Sequence, residues 1–138
     1  MEHSGARRRG AVWFAILLLA AEKVLQHVFV TAALLTDLGG IRATVAADAN
    51  VLAAAGAVLA AAFALAFYAH ARALEFAPAL VSALAAADII GEFVAQGALA
   101  ITITVSFVVA ALLLALAAAE MRRHAVSAGE AAGPGPVL

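Results

Sequence analysis

Ionisable side chains interrupt two long apolar stretches of this sequence, at positions that a membrane-spanning helix would place in hydrocarbon. A charged side chain at that depth costs roughly 2.5–3.5 kcal/mol on insertion scales, so it usually faces a protein interior, a partner or water. Such residues mark candidate sites for binding a proton or a cation. The first stretch contains Glu22, Lys23, Gln26 and His27, and the second contains Asp88, Glu92 and Gln96.

The polar residues of each stretch fall on one face of a helix. Residues three and four apart in sequence are neighbours on a helix surface. At about 100° per residue, the four positions of the first stretch span an arc of about 140°, and the three positions of the second span about 80°. We therefore predict two polar stripes that face protein rather than lipid.

Matched depths predict which residues of the two stripes meet. Depth is counted from Ala11 and Ala77, the expected first residues of the first and third helices. On that count Lys23 lies nearly level with Asp88, and His27 lies nearly level with Glu92. At about 1.5 Å of rise per residue, each pair agrees in depth to within a few ångströms. We therefore expect the first and third helices to touch, with Lys23 facing Asp88 and His27 facing Glu92.

Charge counting suggests what the two stripes could do. With His27 neutral, the carboxylates of Glu22, Asp88 and Glu92 exceed the ammonium of Lys23 by two negative charges. A buried site can balance that excess by binding protons, by holding a cation or by taking positive charge from a partner. The structural alternative is a neutralised hydrogen-bonded network that only holds the helices together.

The chain as a whole is far more apolar than a soluble domain. Apolar residues make up 67% of its 138 residues, against about 45–50% in soluble proteins. About 20 apolar residues cross the hydrocarbon as a helix, and lipid favours helices because it cannot satisfy an open strand edge. The predicted fold class is all-α, a polytopic integral membrane protein with four transmembrane helices in an antiparallel bundle. The helices are expected over about 11–36, 48–71, 77–96 and 98–121.

Local residues explain the ends of these helices and the two tails. The Asp-Leu-Gly-Gly run at 37–40 favours a turn after the first helix, and Pro78 suits the first turn of the third. A very short turn at 96–97 would join the last two helices. Residues 1–10 are expected to form a basic tail, and residues 122–138 a basic edge followed by a disordered Gly/Pro-containing tail.

The distribution of Lys and Arg predicts the orientation in the membrane. On a four-helix path, six basic residues lie on one side and only Arg42 lies on the other. Since cytoplasmic loops carry the excess of Lys and Arg, both termini are expected in the cytoplasm and the protein in the cell membrane. The six are Arg7, Arg8, Arg9, Arg72, Arg122 and Arg123.

A secretory signal peptide is the alternative interpretation of the N-terminal region. The three arginines would form its basic segment, and cleavage would precede Glu22. Leu19 would then occupy a position that prefers a small residue, and the apolar run resumes after Lys23. A spanning helix with a polar stripe fits this pattern better.

Several kinds of site do not fit the sequence. Cysteine is absent, which excludes disulfides, thiolate metal sites and cysteine nucleophiles. His27 and His70 lie at different depths, which disfavours a bis-histidine haem, and no Gly-rich phosphate loop, serine elbow or zinc motif occurs. We expect no cofactor, although a single metal held by one imidazole and carboxylates is acceptable chemistry. Its ligands would be His27, Asp88, Glu92 and Glu22.

Weaker polar positions have simpler structural interpretations. Ser106 shares a helix face with Thr102, and such hydroxyls usually bond to their own helix. Tyr68 and His70 are expected to be anchors near the inner interface. Caps and interfacial solvation explain most simply a group of polar residues near the outer surface, namely Asp37, Arg42, Asp48 and Asn50.

The predicted topology resembles that of the small multidrug exporters, which have four short helices and a carboxylate in the first. The likeness consists of that topology and Glu22; their remaining motif residues find no match here. A shared topology does not by itself establish a function.

Three functions agree with the sequence pattern. The first is proton- or cation-coupled transport or conduction by a homo-oligomer, since four helices are few to enclose a pathway. The second is a membrane-embedded enzyme acting on an apolar, lipid or quinone-like substrate, with His27 and Glu92 as acid and base. The third is a non-catalytic subunit whose charges pair with another membrane protein. Besides the lipid bilayer, a proton or small cation is the expected partner, and the net charge of −1 gives no case for nucleic acid.

Overall fold

The computed structural model describes residues 10–96 and 105–131, with the side chains of the last helix described through Ser127. All four helices in this part of the chain are long and apolar enough to span a membrane. The protein is therefore an all-α, multi-pass membrane protein, as the sequence predicts. In chain order the elements are α1 (Ala11–Thr36), a 3₁₀ segment (Leu38–Ala43), α2 (Ala49–Ala71), α3 (Ala77–Gln96) and α4 (Val105–Ala131).

The bounds of α1 and α3 agree with the prediction, whereas those of α2 and α4 differ from it. α2 begins one residue late because Asp48 is its N-cap, and the Asp48 carboxylate accepts hydrogen bonds from the next turn. α4 continues to Ala131, past its predicted end at Met121, and no proline interrupts the chain between these two residues. Gly97 of the predicted turn, the predicted start of α4 and residues 1–9 and 132–138 lie outside the described residues.

A glycine pair turns the chain after α1, at the end of the bundle that is called the outer end here, after the predicted orientation; the opposite end is called the inner end. Asp37 follows the helix in the left-handed conformation, with φ 50°. Gly39 and Gly40 continue with φ of 66° and 73°, a conformation that glycine adopts without the steric cost of a Cβ. These residues reverse the chain within the 3₁₀ segment and lead it back toward α2.

Hydrogen bonds hold the outer loop onto the helix ends. The Arg42 guanidinium donates to the Leu34 carbonyl at 3.2 Å and to Asn50 Oδ1 at 2.9 Å, which joins the end of α1 to the start of α2. The Ala46 N–H donates to the Ala95 carbonyl at 3.0 Å, which ties the loop to the end of α3. The loop therefore covers part of the outer end of the bundle.

Consecutive helices are neighbours around the bundle. α1 packs most extensively on α2 and α3 on α4, with smaller interfaces between α2 and α3 and between α1 and α4. α1 and α3 therefore lie diagonally across the bundle axis, which corrects the expectation that they pack as neighbours. Gly56 lets α1 approach α2 closely, because a Cβ at this position would lie 2.5 Å from Thr31 Oγ1.

A layer of apolar side chains fills the inner half of the bundle. All four helices contribute to it, and its core residues are fully buried. Along each helix these residues lie between the candidate site and the inner end. We call this set the apolar layer; it consists of Ile16, Phe63, Ala66, Val81, Ala85, Leu113 and Ala117.

Candidate functional site

Lys23 lies at the centre of the site and is 0% exposed. Its ammonium nitrogen lies 2.7 Å from Asp88 Oδ2. It also donates to the Ser106 carbonyl at 2.7 Å, to the Ser106 hydroxyl at 3.0 Å and to Gln26 Oε1 at 2.9 Å. Four oxygens therefore surround three N–H donors, which is the arrangement that a buried lysine charge requires.

Asp88 connects the lysine to His27. His27 Nε2 lies 3.1 Å from Asp88 Oδ1, and both side chains are buried. The His27 ring stacks on Phe63 of α2, with the ring centroids 5.6 Å apart. The imidazole and the ammonium therefore share one buried carboxylate. We call these three residues the Lys23–Asp88–His27 cluster.

The pairing of the two predicted stripes is confirmed for lysine and corrected for histidine. Lys23 faces Asp88, as the matched depths predict. His27 meets Asp88 instead of Glu92, because one carboxylate at the bundle axis presents an oxygen to each of the two side chains. The depths of the residues along their helices do not indicate that one aspartate contacts both Lys23 and His27.

The remaining residues of the predicted stripes lie on the same two helices as the cluster. Gln26 contacts the cluster directly, because its Oε1 accepts a hydrogen bond from Lys23. Glu92 accepts a hydrogen bond from Gln96 Nε2 at 2.8 Å. Glu22 is half-buried, and its Oε2 is shielded from solvent without a hydrogen-bond partner among the described residues.

The ion pair changes the charge balance of the site. Lys23 compensates Asp88, so the cluster is formally neutral when His27 is neutral. The two excess negative charges counted from the sequence belong to Glu22 and Glu92, outside the cluster. The cluster itself therefore needs no further cation.

A partly open cavity of about 150 Å³ extends from the cluster toward the outer loop. Its floor is polar and is formed by Gln26, His27, Asp88 and Ser106, with Glu92 beside them on α3. Its other walls are mostly aliphatic. They include Val30, Leu34, Ile41, Val45, Leu52 and Leu59.

A second polar group, which the sequence analysis missed, lies at the inner end of the bundle. His70 is 2% exposed, and its Nδ1 lies 3.8 Å from Glu120 Oε2. Trp13 donates to the His70 carbonyl at 3.2 Å and stacks on its ring. His124 Nε2 lies 3.9 Å from the other Glu120 oxygen. His70 is therefore part of a buried inner cluster rather than an exposed interfacial anchor.

The apolar layer separates the inner cluster from the Lys23–Asp88–His27 cluster. On α1 the layer residue Ile16 lies between Trp13 and Lys23, and on α4 the layer residue Leu113 lies between Ser106, which contacts Lys23, and Glu120. The similar depth of the α2 and α4 inner ends was the signal that could have paired His70 with Glu120.

The described residues do not favour a metal centre. No three His, Asp or Glu side chains among them are arranged to hold a metal ion. His27 and Asp88 meet, but Asp88 is already engaged by Lys23. The single-metal alternative therefore gains no support from the geometry.

The fold and the site define a small four-helix membrane protein with a buried Lys/His/Asp cluster at the base of a cavity. No protein-family model, curated protein or solved structure matches the chain. The function therefore has to be argued from the site itself.

Proposed function

We propose that the protein is a proton-coupled transporter or proton conductor, with the Lys23–Asp88–His27 cluster as its proton-binding site. The observation that carries this proposal is the position of the cluster between a partly open cavity and the apolar layer. His27 and Asp88 line the cavity, whereas among the described residues the fully buried apolar layer lies toward the inner end. Protons can therefore reach the cluster from the outer end of the bundle.

Charge balance favours a proton over a metal cation as the species bound by the cluster. A metal cation would have to displace Lys23 from Asp88, and removing one partner of a buried ion pair is strongly unfavourable. A proton can be added to His27 while the pair of Lys23 and Asp88 stays intact. Histidine is suited to this role because its unperturbed pKa lies near 6.5.

The membrane orientation is a second part of the proposal. The six-to-one distribution of Lys and Arg supports cytoplasmic termini in the cell membrane. The cavity would then extend toward the outside, and the inner cluster of His70 and Glu120 would lie toward the cytoplasm.

Four helices are few to enclose a pathway, so the proposal includes self-association or a membrane-protein partner. The exposed faces of the helices are apolar, with Leu18, Phe29 and Val58 among the exposed side chains. Such faces can pack on lipid, on a second copy or on another membrane protein. The cluster itself lies on α1 and α3 and contacts α2 and α4 of the same chain.

Proton flux into liposomes tests the function. Purified protein is reconstituted with an entrapped pH-sensitive dye, and a potassium diffusion potential set with valinomycin drives protons inward. We expect faster acidification than in protein-free liposomes, and we expect Asp88→Asn to abolish the difference because the cluster loses its carboxylate.

Asp37→Asn is the matched control for this experiment. It makes the same chemical change in an exposed turn, where asparagine also tolerates the left-handed backbone. Its flux should equal that of the wild type. Wild-type flux equal to that of empty liposomes would refute proton conduction, and unchanged flux in Asp88→Asn would show that the cluster is not the proton site.

A membrane-embedded enzyme is the second candidate, and the aliphatic walls of the cavity are the observation that favours it. In that function His27 and Asp88, rather than His27 and Glu92, would supply acid–base chemistry. Mass spectrometry of molecules copurified with the protein tests this candidate. A stoichiometric apolar molecule would favour it, and its absence in a protein that conducts protons would exclude it in favour of the first.

A further inference from the structure

Lys23 determines which way the Gln26 amide points. An ammonium group has only donors, so it must take the amide oxygen of Gln26, which lies 2.9 Å away. The Gln26 NH₂ group then points away from Lys23. It has no hydrogen-bond partner in the described part of the chain, and Gln26 lines the cavity.

The other polar groups of the cavity floor are already engaged as acceptors. The two oxygens of Asp88 face Lys23 and His27, and Glu92 accepts from Gln96. The Ser106 hydroxyl oxygen accepts from Lys23. The Gln26 NH₂ group is therefore the donor on the cavity floor that no described residue uses.

The walls and the size of the cavity indicate the body of that ligand. The aliphatic walls offer no hydrogen-bond partners, so that part of the cavity favours an apolar body, while the polar floor can bind the polar end of a ligand. An engineered apolar cavity of about 150 Å³ in another protein binds benzene. The present cavity is of similar volume, so it can hold one six-membered ring.

We propose that this cavity binds the carbonyl-bearing ring of a neutral apolar molecule, such as an aryl ketone or a quinone head group. The Gln26 amide donates to the carbonyl oxygen, and the aliphatic walls pack on the ring. Because the cavity is partly open, a longer apolar tail can extend out of it. This site goes beyond the proton proposal and does not depend on it.

A pair of isosteric probes tests the proposed hydrogen bond. The probes are 4-fluoroacetophenone and 4-fluoro-α-methylstyrene, in which a CH₂ group replaces the carbonyl oxygen. Their binding to the protein in nanodiscs is measured by ¹⁹F NMR, with empty nanodiscs correcting for lipid partition. We expect the ketone to bind about two- to tenfold more tightly, the range that one net hydrogen bond provides.

Two variants place this binding at Gln26 and in the cavity. Gln26→Glu keeps an oxygen for Lys23 but removes the NH₂ donors, so the preference for the ketone should disappear. Gly91→Leu should abolish binding of both probes, because Gly91 lines the cavity and an added Cβ meets no atom within 4 Å. Ala57→Leu, on an exposed face of α2, is the control and should bind like the wild type.

Several results would overturn the proposal. Equal affinity for the two probes would show that the ligand carbonyl accepts no hydrogen bond from Gln26. Unchanged affinity in Gly91→Leu would show that the probes bind outside the cavity. Tighter binding of 4-fluorobenzylammonium than of the ketone would show that the carboxylates, rather than Gln26, select the ligand. If Gln26→Glu fails to fold, the probe pair on the wild type and the Gly91→Leu variant still decide the question.

Discussion

Lys23 and Asp88 approach to 2.7 Å across the diagonal of the bundle, although α1 and α3 are not packed neighbours. The four-carbon stem of the lysine spans the distance to the bundle axis, where the short aspartate side chain meets it. The same ammonium also donates hydrogen bonds to Ser106 of α4. One buried charge therefore connects the pair formed by α1 and α2 to the pair formed by α3 and α4.

Removal of that charge should destabilise the fold. We expect Lys23→Met to lower the free energy of unfolding by about 3–5 kcal/mol, because Asp88 keeps a buried negative charge without its ammonium partner. SDS-induced unfolding in mixed micelles, followed by circular dichroism, measures the loss.

A double variant and a surface control separate the ion pair from side-chain packing. Lys23→Met combined with Asp88→Leu should recover most of the loss, since a buried pair replaced by apolar groups is often tolerated. Arg72→Met, at an exposed position, should stay within about 0.5 kcal/mol of the wild type. A single Lys23→Met variant as stable as the wild type would contradict a structural role for the pair.

The close approach of α1 and α2 at Gly56 predicts a second stability effect. Gly56→Ala should cost about 1–3 kcal/mol through overpacking, because its Cβ would lie 2.5 Å from Thr31 Oγ1. Thr31→Ala should restore much of the stability in the double variant, since it removes the clashing oxygen. Gly91→Ala meets no atom and should be neutral or stabilising. Equal effects of the two glycine substitutions would argue against the close contact.

The sequence predicted the helices well because hydrophobic length and turn residues act locally. α1 and α3 begin and end where apolar runs meet Gly, Asp or Pro signals. The end of α4 was predicted too early because apolar content falls at Met121 while helix propensity continues. Hydrophobicity reports where a helix leaves the membrane, and it does not report where the helix itself ends.

The site was predictable only as far as depth and helix face determine it. Depth and helix face predicted the contact of Lys23 with Asp88, but they do not determine which helices lie diagonally across the bundle. The choice of Asp88 over Glu92 as the partner of His27 depends on the packing angles of all four helices. The contact of His70 with Glu120 was missed because neither residue belongs to a polar stripe, and each looks alone like a residue of the membrane interface.

The orientation can be tested directly because the chain has no native cysteine. Single cysteines at Ser4, Ala43 and Ser127 would be exposed to a membrane-impermeant maleimide added to intact cells. We expect labelling at position 43 alone, since only this position lies on the side with a single basic residue. Ala43 is exposed and makes no side-chain hydrogen bond that the cysteine would remove. Labelling at 4 or 127 before cell lysis would reverse or refute the topology, and labelling of all three after lysis is the control.

Trp13 should report the protonation of His70. It is the one tryptophan of the chain, and its ring stacks on His70 with centroids 5.8 Å apart. A protonated imidazole quenches indole fluorescence more strongly than a neutral one, so emission should fall as the pH is lowered from about 8 to 5. Glu120 faces His70, and His124 contacts the other oxygen of Glu120, so both groups also influence this titration.

His70→Gln should abolish the pH dependence of the Trp13 emission and His124→Gln should retain it, because only His70 stacks on the indole. A pH-dependent signal that survives in His70→Gln would show that another group quenches Trp13 and would remove His70 as the titrating residue.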